Sequence, residues 1–202
     1  CFDDENITHV DGTVNPVRDK EIIDLELQLK DLETIENRLS KVQKQAQTGG
    51  DKMAKKLVGV LNAYKEVLLE GRSAREVTFE TPDEIKLAKE LSLLTAKPVL
   101  YVCNVDEGSA ATGNKYVEEV REAIKNEGAE ILVIAAKIES EIAELEDYEE
   151  RQMFLQEIGL DHSGVERLIQ RAYSLLNLQT YFTAGEPEVR AWTINKGDKA
   201  PA

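Results

Sequence analysis

Val99-Leu100-Tyr101-Val102-Cys103-Asn104-Val105-Asp106-Glu107 is the stretch that decides the fold. Its first five residues are continuously apolar and rich in β-formers, the pattern of a short strand buried on both faces. Polar residues follow at once. Downstream, Tyr116 to Glu127 has helical spacing with Gly128 just past its end, and Ile131-Leu132-Val133-Ile134-Ala135 repeats the buried-strand pattern. Strand, helix, strand at this spacing predicts a βαβ unit with parallel strands and a right-handed crossover, hence an α/β fold.

Upstream the texture is helical. Asn15-Pro16 reads as a cap followed by Pro at the first helical position. Ile22, Leu25, Leu29, Leu32, Ile35, Leu39, Val42 and Ala46 then recur at steps of three and four, which predicts one buried stripe on a long helix. Thr48-Gly49-Gly50-Asp51 interrupts it. A second stripe runs through Met53, Leu57, Val60, Leu61, Tyr64, Val67 and Leu68, and Gly71 supplies a stop. Two amphipathic helices around a Gly-Gly turn predict an antiparallel hairpin with a coiled-coil-like seam. Thr81-Pro82-Asp83-Glu84 has capping-box spacing, so a further helix is expected to about Leu94.

Two or three helices are expected after the second strand, the last over about Ser163 to Leu176. Val189 to Ile194 alternates like a half-exposed strand, and Asn195-Lys196-Gly197-Asp198 reads as a turn. The acidic run Glu139, Glu141, Glu144, Glu146, Asp147, Glu149 and Glu150 reads as a solvated helix face without metal-ligand spacing.

Composition narrows the function classes. Of 202 residues, 42% are apolar, enough for a core, and 32% are charged. No run approaches the roughly 18 apolar residues of a membrane helix. The opening Cys1-Phe2-Asp3-Asp4-Glu5 has no signal-peptide pattern, and the missing initiator Met points to processing or truncation. Two cysteines make no disulfide framework, and Cys103 reads as a buried hydrophobe, so a reducing, cytoplasmic setting fits. The net charge of −14 argues against nucleic-acid binding over the whole surface.

In open parallel sheets, ligands bind at the carboxyl ends of strands. That directs attention to Asn104-Val105-Asp106-Glu107 and to Ala136-Lys137. An Asn amide both donates and accepts, which suits a purine edge, and a carboxylate accepts from N–H donors. Asn-x-x-Glu alone is a weak motif; an Asn that only turns the chain is the competing reading. His9 and His162 read as structural, and no catalytic residue is expected among these residues.

Several blocks carry a resemblance: Cys1-Phe2, Ile7-Thr8-His9-Val10, Asn15-Pro16, the hairpin, Lys97 to Glu107, and above all Leu178-Gln179-Thr180-Tyr181-Phe182-Thr183-Ala184-Gly185-Glu186-Pro187-Glu188-Val189-Arg190-Ala191-Trp192-Thr193. In this order they resemble the Obg-like ATPase (YchF) family of P-loop hydrolases along essentially the whole chain. The resemblance implies a Ras-like nucleotide-binding domain with an inserted helical hairpin, followed by a TGS β-grasp domain. Residues 1–18 would be a remnant of the nucleotide-binding domain, 19–76 the inserted hairpin, 77–177 the second half of the nucleotide-binding domain, and 178–202 the start of TGS.

The resemblance also assigns residues. Asn104, Val105 and Glu107 fall on the base-recognition motif, which in the wider class reads Asn-Lys-x-Asp. Val105 and Glu107 depart from it, which puts guanine selection in doubt and implies ATP preferred over GTP. Ala135, Ala136 and Lys137 match the second base-side loop, with Ala135 in place of the usual Ser. No Gly-x-x-x-x-Gly-Lys-Ser/Thr stretch occurs in the 202 residues. The implied ATP or GTP with Mg²⁺ would therefore be bound and hydrolysed by a complete protein, expected to be a monomer, of which this chain holds the base-recognition half and is inactive alone.

Charge is uneven. Over residues 38–56, Arg38, Lys41, Lys44, Lys52, Lys55 and Lys56 stand against Asp51 alone, a local excess of five positive charges near the hairpin tip. Such a tip suits RNA phosphates, although solubilising charge reads equally well from residues alone; the resemblance favours RNA or the ribosome. The alternative function is a non-enzymatic coiled-coil module that binds RNA or ribosome through this tip.

Overall fold

A computed structural model describes residues 1–4, 12–48 and 51–199. His9 and the Gly49-Gly50 turn lie outside them. The chain divides into two compact units, Arg18–Pro98, and Cys1–Val17 together with Val99–Ala202.

The first unit is helical. Helix α1 (Pro16–Thr48) has 33 residues and α2 (Lys52–Leu69) has 18. Asp51 starts α2 by accepting from the N–H groups of Met53 and Ala54 at 2.8 and 3.2 Å. Gly71 ends it in the left-handed region (φ 73°), with Arg72 N–H donating to Val67 O and Gly71 N–H to Leu68 O, both at 3.0 Å. This is a Schellman motif, which needs the positive φ that glycine tolerates. The two helices run antiparallel: Lys65 pairs with Glu36 at 2.8 Å, and Gln28 Nε2 donates to Gly71 O at 3.0 Å. Ile35, Val42, Leu57, Val60, Leu61 and Leu68 fill the space between and around them, each burial contributing about 1.5–3 kcal/mol.

The expected buried stripe on α1 is correct only in part. Leu25 and Leu29 are each 55% exposed, and Ile22 is exposed as well. From Leu32 onward the stripe holds, with Ile35 and Val42 buried and Leu32, Leu39 and Ala46 packed against the core; the other buried positions, Gln28 and Asp31, are polar. Length explains the change. At 1.5 Å per residue α1 spans about 50 Å and α2 about 27 Å, so the early turns of α1 have no α2 alongside. Gln28, the first buried position of α1, bonds to Gly71 just past the end of α2.

Helix α3 (Pro82–Leu91) has the expected capping box: Thr81 Oγ1 accepts from Glu84 N–H at 3.4 Å, and the Glu84 carboxylate accepts from Thr81 N–H at 3.3 Å. It stops short of Leu94 because Ser92 turns left-handed at φ 52°. Asp31 then fastens the connector beyond it. Only 2% exposed, its carboxylate accepts from the N–H groups of Leu94 (2.8 Å) and Thr95 (2.7 Å) and from the Thr95 hydroxyl (2.7 Å). Thr95 Oγ1 in turn accepts from Ala74 N–H at 3.1 Å, and Thr95 O accepts from Arg75 N–H at 3.1 Å. A buried carboxylate that satisfies three donors is stabilising where an unpaired one would not be.

The second unit is α/β. Strands β1 (Leu100–Asn104) and β2 (Glu130–Ile134) pair in parallel, with Asn104 opposite Ile134. Helix α4 (Lys115–Ala123) connects them, and α5 (Ala136–Glu144), α6 (Tyr148–Glu157) and α7 (Gly164–Leu175) follow. Cys103, Val117, Val120, Ile124, Ile138, Ile142 and Leu155 form its core. Burial of the first strand on both faces does not hold: Val102 is 44% exposed, because β1 and β2 are the only members of this sheet among the described residues.

Strands β3 (Leu178–Ala184) and β4 (Val189–Asn195) form an antiparallel pair in which Tyr181 faces Trp192. The pattern of β4 was legible as alternation; β3 was not, because Leu178 to Ala184 mixes polar and apolar residues without a clean period. The 195–198 turn is present, with Asp198 N–H donating to Asn195 O at 3.2 Å and Gly197 at φ 92°.

The acidic run is more than a solvated face. Asp147 caps α6 by accepting from Glu149 and Glu150 N–H groups, and Glu139 accepts from Gly164 N–H at 2.6 Å and Val165 N–H at 3.3 Å at the start of α7. No cluster among the described residues has metal-ligand geometry.

Two stability tests follow from these contacts. Asp31→Ala leaves three buried donors without an acceptor and is expected to cost about 3 kcal/mol or more, read as a lower urea midpoint at unchanged slope. Gly164→Ala would set a Cβ at 2.6 Å from Glu139 Oε1 and 2.8 Å from Ile134 Cγ2. The expected loss is about 1–3 kcal/mol by the same measurement.

Candidate functional site

The carboxyl ends of β1 and β2 are joined by side chain as well as by the strand ladder. Val105 N–H donates to Ile134 O at 2.8 Å, extending the pairing one residue past β1. Asn104 Oδ1 accepts from Ala136 N–H, the first residue of α5, at 2.9 Å. This N–H is one of the helix's orphan donors, and Ala135, at the cap position, has no side-chain oxygen to receive it. Asn104 thus supplies from the neighbouring strand the cap that the local sequence lacks. Its oxygen is committed; its amide NH₂ makes no hydrogen bond to a described residue and keeps two donors for a ligand.

Glu107 opens a short 3-10 turn (Glu107–Ser109), and its carboxylate is paired with the Lys137 ammonium. Both side chains are exposed, so the pair is solvent-screened. The bond to Glu107 raises the Lys137 pKa above its ordinary value. Asp106 turns the other way. It accepts from Ser109 Oγ at 2.9 Å and from Asn114 Nδ2 at 3.5 Å, and these bonds lower its pKa. Asn114 also caps α4 and donates to Cys1 O at 2.7 Å. Val105 and Ala135 are buried in the core, whereas Ala136 and Lys137 are exposed.

Five of the six expected base-side residues therefore meet within the described contacts at one edge: Asn104 with Ala136, Glu107 with Lys137, and Val105 on the end of β2. Ala135 adds the buried cap position of α5. The pairing of Glu107 by Lys137 was not foreseen, since nothing in the spacing brings positions 107 and 137 together. The signal that could have found it is the parallel βαβ reading itself, which sets the two post-strand loops side by side.

The expected nucleic-acid-binding residues lie in the helical unit. Arg38, Lys41, Lys44, Lys52 and Lys55 are exposed. Lys56 is half-buried and paired with Asp83 at 2.5 Å, so its charge is partly spent within the fold. Arg38 and Lys41 line a groove with Leu57, Leu87 and Glu90. His162 contacts Glu166 at 3.2 Å beside the Ser163 cap of α7. No helix among the described residues is long and apolar enough to cross a membrane.

Comparison with known proteins covers the whole chain. No family model matches the chain. It is 53% identical over 203 residues to the ribosome-binding ATPase YchF of Bacillus subtilis (strain 168), covering all of this chain and 55% of that protein. It is 45% identical over 201 residues to the ribosome-binding ATPase YchF of Escherichia coli O157:H7, covering all of this chain and 54% of that protein. The structure of the Schizosaccharomyces pombe YchF GTPase superposes with a TM-score of 0.86 at 33% identity, over 99% of this chain and 54% of that one. The chain spans about half the length of the curated relatives it matches. Along its whole length, in sequence and in its α/β fold with a parallel strand pair, the chain is strongly homologous to the Obg-like ATPase (YchF) family.

Proposed function

We propose that these residues form the base-recognition side of a nucleotide site in a ribosome-associated, ATP-preferring hydrolase. The observation that carries this is the Asn104–Ala136 hydrogen bond at the carboxyl ends of two parallel strands. It leaves the Asn104 amide NH₂ as a donor suited to purine N7, beside the Glu107–Lys137 pair. The Glu107 carboxylate accepts from an exocyclic amine, and the Lys137 ammonium holds it in place. Glu107 is one methylene longer than the Asp of the wider class and is already engaged, which weakens the two-donor contact that guanine requires. Family names that contain ATPase and GTPase agree with a purine nucleotide as ligand.

Phosphate binding, Mg²⁺ and hydrolysis are assigned to the complete protein, a cytoplasmic monomer in this reading; no residue described above is given a catalytic role. In the complete protein we take residues 19–76 as the inserted coiled-coil hairpin and residues from 178 as the start of a TGS domain. The exposed Arg38, Lys41, Lys52 and Lys55 support a role for the hairpin tip in contacting ribosomal RNA.

Calorimetric titration of the complete protein with ATP and GTP tests the nucleotide reading. Asn104→Ala is expected to weaken both about 10- to 100-fold, the cost of a lost N7 contact. Unchanged affinities would refute the assignment. For the tip, binding to ribosomal RNA should weaken with salt. Arg38→Gln with Lys41→Gln should lower the slope of log affinity against log salt by about 1–2, while a slope unmoved by the pair would assign those charges to solubility.

A further inference from the structure

A cavity of about 380 Å³ lies in the helical unit, away from every residue assigned above. Its walls are mostly apolar: Tyr64 from α2, Phe79 from the α2–α3 connection, Ile85 from α3 and Leu93 just beyond it. The Tyr64 and Phe79 rings meet edge to face with centroids 5.3 Å apart, which holds both in place. Two cations, Lys89 and Lys97, complete the lining. Both are exposed, and neither forms an ion pair with a described residue.

Two features make this more than a packing fault. Tyr64 is only 5% exposed, yet its hydroxyl makes no hydrogen bond to a described residue. The ring is buried while the hydroxyl is not among the sealed polar atoms of the fold, so it stays open to a ligand oxygen. Burial also raises the Tyr64 pKa, so the group stays a neutral donor at physiological pH. Secondly, the wall at Ser92 is strained. This non-glycine residue sits at φ 52°, ψ 34°, the left-handed region that side chains other than glycine's seldom adopt. The turn it makes separates Lys89 on α3 from Leu93, which enters the core.

We infer that this cavity is a binding site for an apolar carboxylate: an aromatic or branched body against Tyr64, Phe79, Ile85 and Leu93, and an anionic end met by Lys89 and Lys97, with the Tyr64 hydroxyl donating to a ligand oxygen. The size suits a body of about ten heavy atoms, since ligand pockets begin at roughly 300 Å³. The mostly apolar walls suit a hydrocarbon body better than a phosphate chain. The same chemistry has two sources, a free small acid or the C-terminal residue of a peptide.

The test uses the ¹⁵N-labelled protein with two acids, 4-phenylbutanoate and acetyl-Gly-Gly-Phe, each beside its primary amide. At least one acid is expected to shift the Ala88 and Ala96 amide resonances saturably, in the roughly millimolar range for a ligand of this size. Preference for the peptide or for the free acid identifies the source. Lys89→Gln with Lys97→Gln should weaken the acid about fivefold or more and leave the amide unchanged, and Tyr64→Phe should weaken it without unfolding the protein. Thermal melts of each variant separate loss of binding from loss of fold. Absence of saturable shifts with both acids in the folded protein would overturn the inference, as would equal affinity for acid and amide.

Discussion

The bond from the Ala136 N–H to Asn104 Oδ1, 2.9 Å long, ties the end of one strand to the start of the helix that follows its parallel partner. Pairing through Asn104 opposite Ile134 brings the strand ends level, and the Val105 N–H to Ile134 O bond carries the ladder one step further. The loops after β1 and β2 consequently share an edge. Because Ala135 offers no side-chain cap, the first turn of α5 depends on Asn104 for its leading donor. The same bond aligns the Asn104 amide with Glu107 and Lys137 on the two loops, so one side chain both completes the local fold and presents the group proposed to read a base.

The helical unit obeys a different constraint. Its core is hydrocarbon between antiparallel helices of unequal length, and the Asp31 carboxylate pins the Leu94–Thr95 connector to α1. Thr95 passes that restraint on to the turn at Ala74 and Arg75. Since Pro98 is followed directly by Val99, the backbone leaves this buried network only a few residues before β1. A polar node inside an apolar helical unit is costly to break, because every donor on it would lose its partner at once.

What the sequence made legible follows from which signals are local. Alternation disclosed β4, 3.6-residue periods both long helices, and continuous apolar runs around a helical segment the βαβ unit; the Thr81–Glu84 box and the Ser163 cap appear where their spacing placed them. Features set by distant pairing were hidden. Asp31 reads as one more polar residue on a helix until the 94–95 connector arrives beside it. Glu139 reads as surface charge until Gly164 is brought to it. Leu25 and Leu29 continue the apolar period of α1 yet remain exposed, since periodicity names a face and cannot say how far the partner helix extends. At the candidate site, the positions of Asn104 and Ala136 followed from strand order, whereas the Glu107–Lys137 pairing required the two loops to be seen together.

The most direct measurement is a crystal structure of the complete protein with a non-hydrolysable ATP analogue, read at one distance. With base recognition as proposed, Asn104 Nδ2 lies about 3 Å from purine N7, the Asn104 Oδ1 bond to Ala136 is intact, and the exocyclic amine faces Glu107. An adenine bound beyond hydrogen-bond reach of Asn104, with the β1 and β2 loops unoccupied, would contradict it and leave Asn104 as a structural cap alone.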